Sequence, residues 1–218
     1  MSAITHEHHE EAHGHELPWS VQLKANRLGL WLFCFSEVFL FAALLVARFA
    51  LWLTEDGAVA RPELSQPIGL FATVVLLVSS FFVYRGETAM EHGDRKTFLN
   101  SYLMAAFLGT LFFVGVVFLE WNVLGLNAEL FGIEIFGHLK PTDGVWGAVF
   151  YAMTGMHSLH VLTGIIFLLV VWNNGRNGHY DDEKHWGVEA CAIYWHYVDV
   201  VWVFFYPALY LMGHAVAA

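Results

Sequence analysis

The segment 189–206, EACAIYWHYVDVVWVFFY, sets a glutamate, a histidine and an aspartate inside an apolar run long enough to cross a bilayer. Ionisable side chains are costly in hydrocarbon, so where they occur they face a bundle interior or a polar cavity and mark a site. At about 100° per residue, His196 lies ~20° behind Glu189 and Asp199 ~60° further round, so the three share one helix face. Trp195 and Trp202, seven residues apart, mark a neighbouring stripe. A helix of this kind turns its polar side inward and shows the rest to lipid, which makes the two tryptophans candidates for lipid contact.

Composition agrees with a membrane-embedded chain. Only 14% of the residues are charged and 57% are hydrophobic, with a mean hydropathy of +0.53, whereas soluble domains carry about 25% charged residues. The formal charge of −10 comes from acids clustered in the N-terminal tail and the loops. It describes the wetted ends, and no nucleic-acid partner is expected. Cys34 and Cys191 both fall inside apolar runs, where free thiols behave as small hydrophobes, so no disulfide is expected.

Five apolar segments are near the ~20 residues that a crossing needs: 28–53, 66–84, 98–120, 145–172 and 189–212. The fold expected is all-α, a five-helix transmembrane bundle formed by residues 24–218, preceded by a His/Glu-rich tail over residues 1–23. No cleaved signal peptide is expected, because the first apolar run follows a polar tail and lacks a small-residue cleavage pattern. With the N-terminus inside, the inner side holds Lys24, Arg27, Arg85, Arg95, Lys96, Arg176 and Lys184, and the outer side only Arg48, Arg61 and Lys140. This asymmetry predicts a cytoplasmic N-terminus. Arg48, near the outer end of the first span, is a candidate for the lipid interface. The tail histidines His6, His8, His9, His13 and His15 have no fixed ligand geometry, and a mobile solvated tail is the expected reading.

Depth along the helices brings further polar residues to the same level. Glu37 lies about ten residues, or roughly 15 Å, from the inner edge of the first span. His157 and His160 lie about a dozen residues from one end of the fourth span, and His196 and Asp199 lie seven and ten residues into the fifth. A mid-membrane layer of ionisable groups follows, in which Glu37 facing His157 or His160 would satisfy both partners. Each histidine taken singly also fits a buried imidazole bonded to a backbone carbonyl. The pair His157 and His160 at i, i+3, with Glu37 and Glu189, further contains the ingredients of a carboxylate–histidine bundle site, and axial haem ligation by facing histidines would make the chain a b-type cytochrome anchor.

Two loops add detail. Glu87, Glu91 and Arg95 follow one another at i, i+4 spacing, as in a helix that projects from the membrane with a surface ion pair. The outer loop 121–144 is unusually apolar, which predicts contact with the headgroup region or a partner.

Four ordered blocks, KANRLGLWLFCFSEVFLF, MEHGDRKTFLNSYLMAAFLGTLFF, DGVWGAVFYAMTGMHSLHVLTG and HWGVEACAIYWHYVDVVWVFFY, resemble the signature regions of subunit III of the haem–copper oxidases, particularly cytochrome c oxidase. The resemblance runs from about Lys24 to Tyr210. It implies an all-helical accessory subunit of a terminal oxidase that reduces O2 to water and pumps protons in a bacterial inner membrane. The subunit itself is implied to hold no haem, copper, other metal or catalytic residue. Its implied partners are subunit I, subunit II, further small subunits and bound phospholipid. The glutamate corresponding to Glu37 is linked in the family to proton or oxygen delivery and to sustained turnover. The site residues expected from depth and helix face are the intramembrane set Glu37, His157, His160, Glu189, His196 and Asp199, with Arg48, Trp195 and Trp202 at the lipid interface. Longer members have seven helices, and this chain begins at what would be their third. Short forms occur among bacterial oxidases, including quinol oxidases with a histidine-rich tail, so the resemblance leaves both donors open while the Ser36–Glu37 pair and the YWHYVDVVW block look closer to the cytochrome c branch.

Overall fold

The computed structural model describes residues 18–53, 64, 66–122, 129–130, 133–134 and 139–212. Within these, five helices are long and apolar enough to cross a membrane. They are α1 (Trp19–Leu53), α2 (Gln66–Glu91), α3 (Arg95–Val114), α4 (Gly144–Arg176) and α5 (Trp186–Tyr206). A π-helical turn, Gly115–Glu120, extends α3, and another, Pro207–Leu211, extends α5. The histidine-rich tail and much of the loop 121–144 lie outside the described residues. What is described of that loop is a pair of two-residue antiparallel strands, β1 (Glu129–Leu130) and β2 (Ile133–Glu134), with Leu130 opposite Ile133.

The helices outrun the apolar segments. Helix α1 starts at Trp19 and α2 runs on to Glu91, because Lys, Arg, Glu and Gln are strong helix formers and continue a helix into the wetted zone. Their stops are local. Gly93 takes φ +72°, Gly93 N–H donates to Met90 O at 3.0 Å and Asp94 N–H to Ala89 O at 2.8 Å, the paired bonds of a Schellman C-cap. Asp94 then caps α3 by accepting from Thr97 N–H at 3.1 Å. The tight turn makes α2 and α3 antiparallel neighbours.

Helices α2 to α5 form the core, with Tyr102, Phe112, Phe150, Trp195 and Trp202 buried among them. Helix α1 lies along α4 and α5 and leaves Trp31, Phe35, Phe39 and Val46 exposed. Both cysteines are free and buried.

Candidate functional site

Glu37 is the nineteenth of the 35 residues of α1, and His160 the seventeenth of the 33 of α4. They meet at the midpoint of both helices, with His160 Nε2 3.2 Å from Glu37 Oε2. The other ring nitrogen, Nδ1, donates back to Met156 O at 2.9 Å. Phe41 packs edge-on against the imidazole, ring centres 4.8 Å apart. On the next helix, Tyr194 donates its hydroxyl to His160 O at 3.1 Å.

His157, three residues earlier, points about 60° away round the helix and enters the core instead. It stacks on Trp202 at 4.8 Å and takes the edge of Phe112 at 5.8 Å. It is fully buried, and neither ring nitrogen bonds a protein group. His196 lies at 2.6 Å, Nδ1 to Oγ, from Ser80 of α2. Asp199 is buried beside the same serine, though its carboxylate meets no hydrogen bond of normal geometry.

Glu189 sits elsewhere. It occupies the first turn of α5, and its carboxylate receives a fork from Arg27 of α1, Nη2 to Oε2 at 2.9 Å and Nε to Oε1 at 2.7 Å. The structure thus brings Glu37 to His160, His196 and Asp199 to Ser80, and Glu189 to Arg27. No hydrogen bond joins these three groups to one another among the described residues.

The three residues expected at the lipid interface are interior. Arg48 is buried; its Nε donates to Ala208 O at 3.1 Å and its guanidinium lies 4.1 Å above the Trp146 ring. Trp195 fills a slot opened by two glycines, since an added Cβ at Gly109 or Gly164 would fall 2.5 Å or 2.7 Å from its ring. Trp202 donates Nε1–H to Thr73 Oγ1 at 3.0 Å. The Trp195 ring is drawn inward because glycines on α3 and α4 leave it room, a pairing invisible along α5 alone.

Sequence reasoning passed over a second buried carboxyl. Glu120, at the end of the α3 extension, is buried and accepts from the Tyr210 hydroxyl, while Gln66 donates to Tyr210 O at 3.2 Å. Both π turns lie at this end of the bundle, closed by Trp121 N–H to Val116 O and Met212 N–H to Pro207 O, each 3.0 Å. Pro207 has no N–H to continue the α-helical ladder, which marks that turn in the sequence. Glu120 had no comparable signal, because it stands where an apolar run ends.

Among the described residues, polar contacts tie helix α1 to the bundle at three heights: Arg27–Glu189, Glu37–His160 and Arg48–Ala208. Among the described residues, no group of three or more His, Cys, Asp or Glu side chains is placed to hold a metal ion.

The chain compares with known proteins over nearly all of its length. The family described as Cytochrome c oxidase subunit III matches residues 7–214. The cytochrome c oxidase subunit 3 of Thermostichus vulcanus is 33% identical over 202 residues, covering 92% of this chain and 91% of that protein. That of Synechocystis sp. is 31% identical over 207 residues, covering 93% and 80%, and that of Osphranter robustus is 33% identical over 208 residues, covering 92% and 74%. On these matches, the chain belongs to the cytochrome c oxidase subunit III family.

Proposed function

We propose that this chain is the accessory third subunit of a proton-pumping terminal oxidase of a bacterial inner membrane, where it stabilises the catalytic subunit and carries phospholipid. Its partners are the haem–copper subunit I, subunit II and further small subunits, and the redox centres reside in those partners. The observation that carries this reading is the family match over residues 7–214. The use of the buried polar side chains to tie helices supports it: the hydroxyls of Ser79, Tyr102 and Tyr194 each donate to a carbonyl on another helix. The donor is cytochrome c, a reading supported by the names of the relatives. The N-terminus is cytoplasmic, which the lysine and arginine asymmetry supports; burial of Arg48 lowers the outer count further.

The test is an oxidase complex prepared with and without this chain. With reduced cytochrome c as donor, loss of the chain should leave the initial rate near normal and shorten the period of sustained turnover. A stoichiometric Soret band from the isolated chain would instead identify a haem-bearing anchor, and turnover with quinol alone would reassign the donor.

A further inference from the structure

We infer that the outward face of α5, at His196, seats a transmembrane helix of a partner subunit that presents a hydroxyl group at mid-membrane. The inference rests on the reading of the chain as an oxidase subunit and gives its association with a partner a location.

Helix α5 packs on α1 and on α2, while α1 and α2 scarcely touch one another. Its outward side is therefore the floor of a groove with a helix on either hand. Ile193, His196, Val200 and Val203 follow at steps of three, four and three residues along that floor, the 3–4 spacing with which one helix receives the side chains of another. Val200 and Val203 are 54% and 46% exposed, and Ile193 and His196 are half-buried.

Lipid would cover three of these side chains without loss, but it cannot serve the fourth. His196 is the eleventh of the 21 residues of α5, about 15 Å along the axis from the first, at a depth where hydrocarbon offers no hydrogen bond. Its Nδ1 is taken by Ser80 Oγ at 2.6 Å. Its Nε2 meets no hydrogen-bonding group among the described residues, and it is not enclosed by them. A ring nitrogen left in hydrocarbon is costly whether it carries a proton or a lone pair. A neighbouring helix that supplies the missing group removes that cost, and one polar residue in an otherwise apolar seam also fixes the register of the pair.

The chemistry of the partner group follows from Ser80. Its hydroxyl has both His196 and the buried carboxyl of Asp199 as neighbours, and it has one proton to give. Given to Asp199, that proton calls for Nδ1–H on the ring and leaves Nε2 an acceptor; given to Nδ1, it makes Nε2–H a donor. A hydroxyl on the partner helix answers both states, since it donates and accepts, and it brings no charge into the hydrocarbon.

The test is photo-crosslinking in the intact oxidase complex, with benzoylphenylalanine in place of Val200 on the groove floor. The crosslink should reach a transmembrane segment of another subunit, with a serine, threonine or tyrosine within one turn of the joined residue. His196→Leu should lower the amount of this chain retained per haem after detergent washing about threefold to tenfold, the worth of one hydrogen bond between helices in a membrane. Ser80→Ala, which breaks only the contact inside the chain, should be retained like wild type. Crosslinks to lipid alone or to a second copy of this chain overturn the site, as does a loss with Ser80→Ala equal to that with His196→Leu, which would make His196 an internal tie. Any of these results in a complex that still holds this chain beside the haem–copper subunit removes the site alone; a wild-type chain that does not co-purify with that subunit removes the accessory reading together with the site.

Discussion

His160 Nε2 stands 3.2 Å from Glu37 Oε2 while the same ring gives its Nδ1 proton to Met156 O. The carbonyl can only accept, so this bond fixes the tautomer. One further proton is then shared between Nε2 and the carboxyl, as neutral acid and neutral ring or as carboxylate and imidazolium. Both arrangements keep the hydrogen bond and sum to zero charge, which is how two ionisable groups are tolerated at the midpoint of two apolar helices.

Replacement of Glu37 tests what the contact supplies. Glu37→Gln retains an amide N–H to donate to Nε2, so the complex should assemble and melt near wild type. Glu37→Leu leaves the His160 nitrogen without a partner, at about 1–3 kcal/mol for a buried unsatisfied group. Thermal melting of the purified complex and retention of this chain during purification read the difference. If Glu37→Gln melts normally but loses activity over many turnovers, the shared proton itself matters; if it does not, the contact is a helix tie.

The slot for Trp195 makes a sharper demand. An alanine at position 164 would bring Cβ within 2.7 Å of the Trp195 ring, and overpacking of this kind costs about 1–3 kcal/mol. Gly164→Ala should lower the melting temperature of the complex. Combining it with Trp195→Phe should cost less than the sum of the two single changes, because the substitutions share one contact.

At the wetted α2–α3 turn, hydrogen bonds from Thr97 hold the Asp94 carboxyl below its ordinary range. A depressed folded-state value stabilises the fold above the unfolded-state pKa, and the contribution is lost as pH falls through the folded value. Asp94→Ala should therefore be less stable than wild type at neutral pH, with the gap closing in acid. Asp94→Asn, which still accepts from Thr97 N–H, should show a flatter pH response than wild type when melting is followed from neutral to acid.

Five spans put the two termini on opposite sides of the membrane. On the proposed orientation, an N-terminal tag in sealed inverted membrane vesicles should be open to protease and a C-terminal tag protected. Both tags on one side would require an even number of crossings.

The spans were legible because a bilayer imposes length and hydropathy on each one separately. Their ends were not, since the continuation of α1 back to Trp19 and of α2 to Glu91 uses polar helix formers that read as loop. The position of Glu37 and His160 at mid-helix followed from counting residues. The choice between His157 and His160 as its partner did not, because two residues three apart differ by only ~60° and the neighbouring helix decides. Trp195 was read outward for the same reason: the glycines that receive it, Gly109 and Gly164, belong to other helices.

The three contacts that hold α1 fall at positions 27, 37 and 48, so they stand roughly 15 Å apart along its axis. Lipid supplies no hydrophobic force to press this helix onto α4 and α5, so its seat depends on these marks together with the packing of Phe33 on Tyr194 and of Phe41 on His160 and Phe205. A slip of one turn, ~5.4 Å, would separate all three at once, and no partial slip preserves two of them. Helix α1 is thus keyed lengthwise against the bundle at three heights, and a shift along its axis breaks all three contacts together.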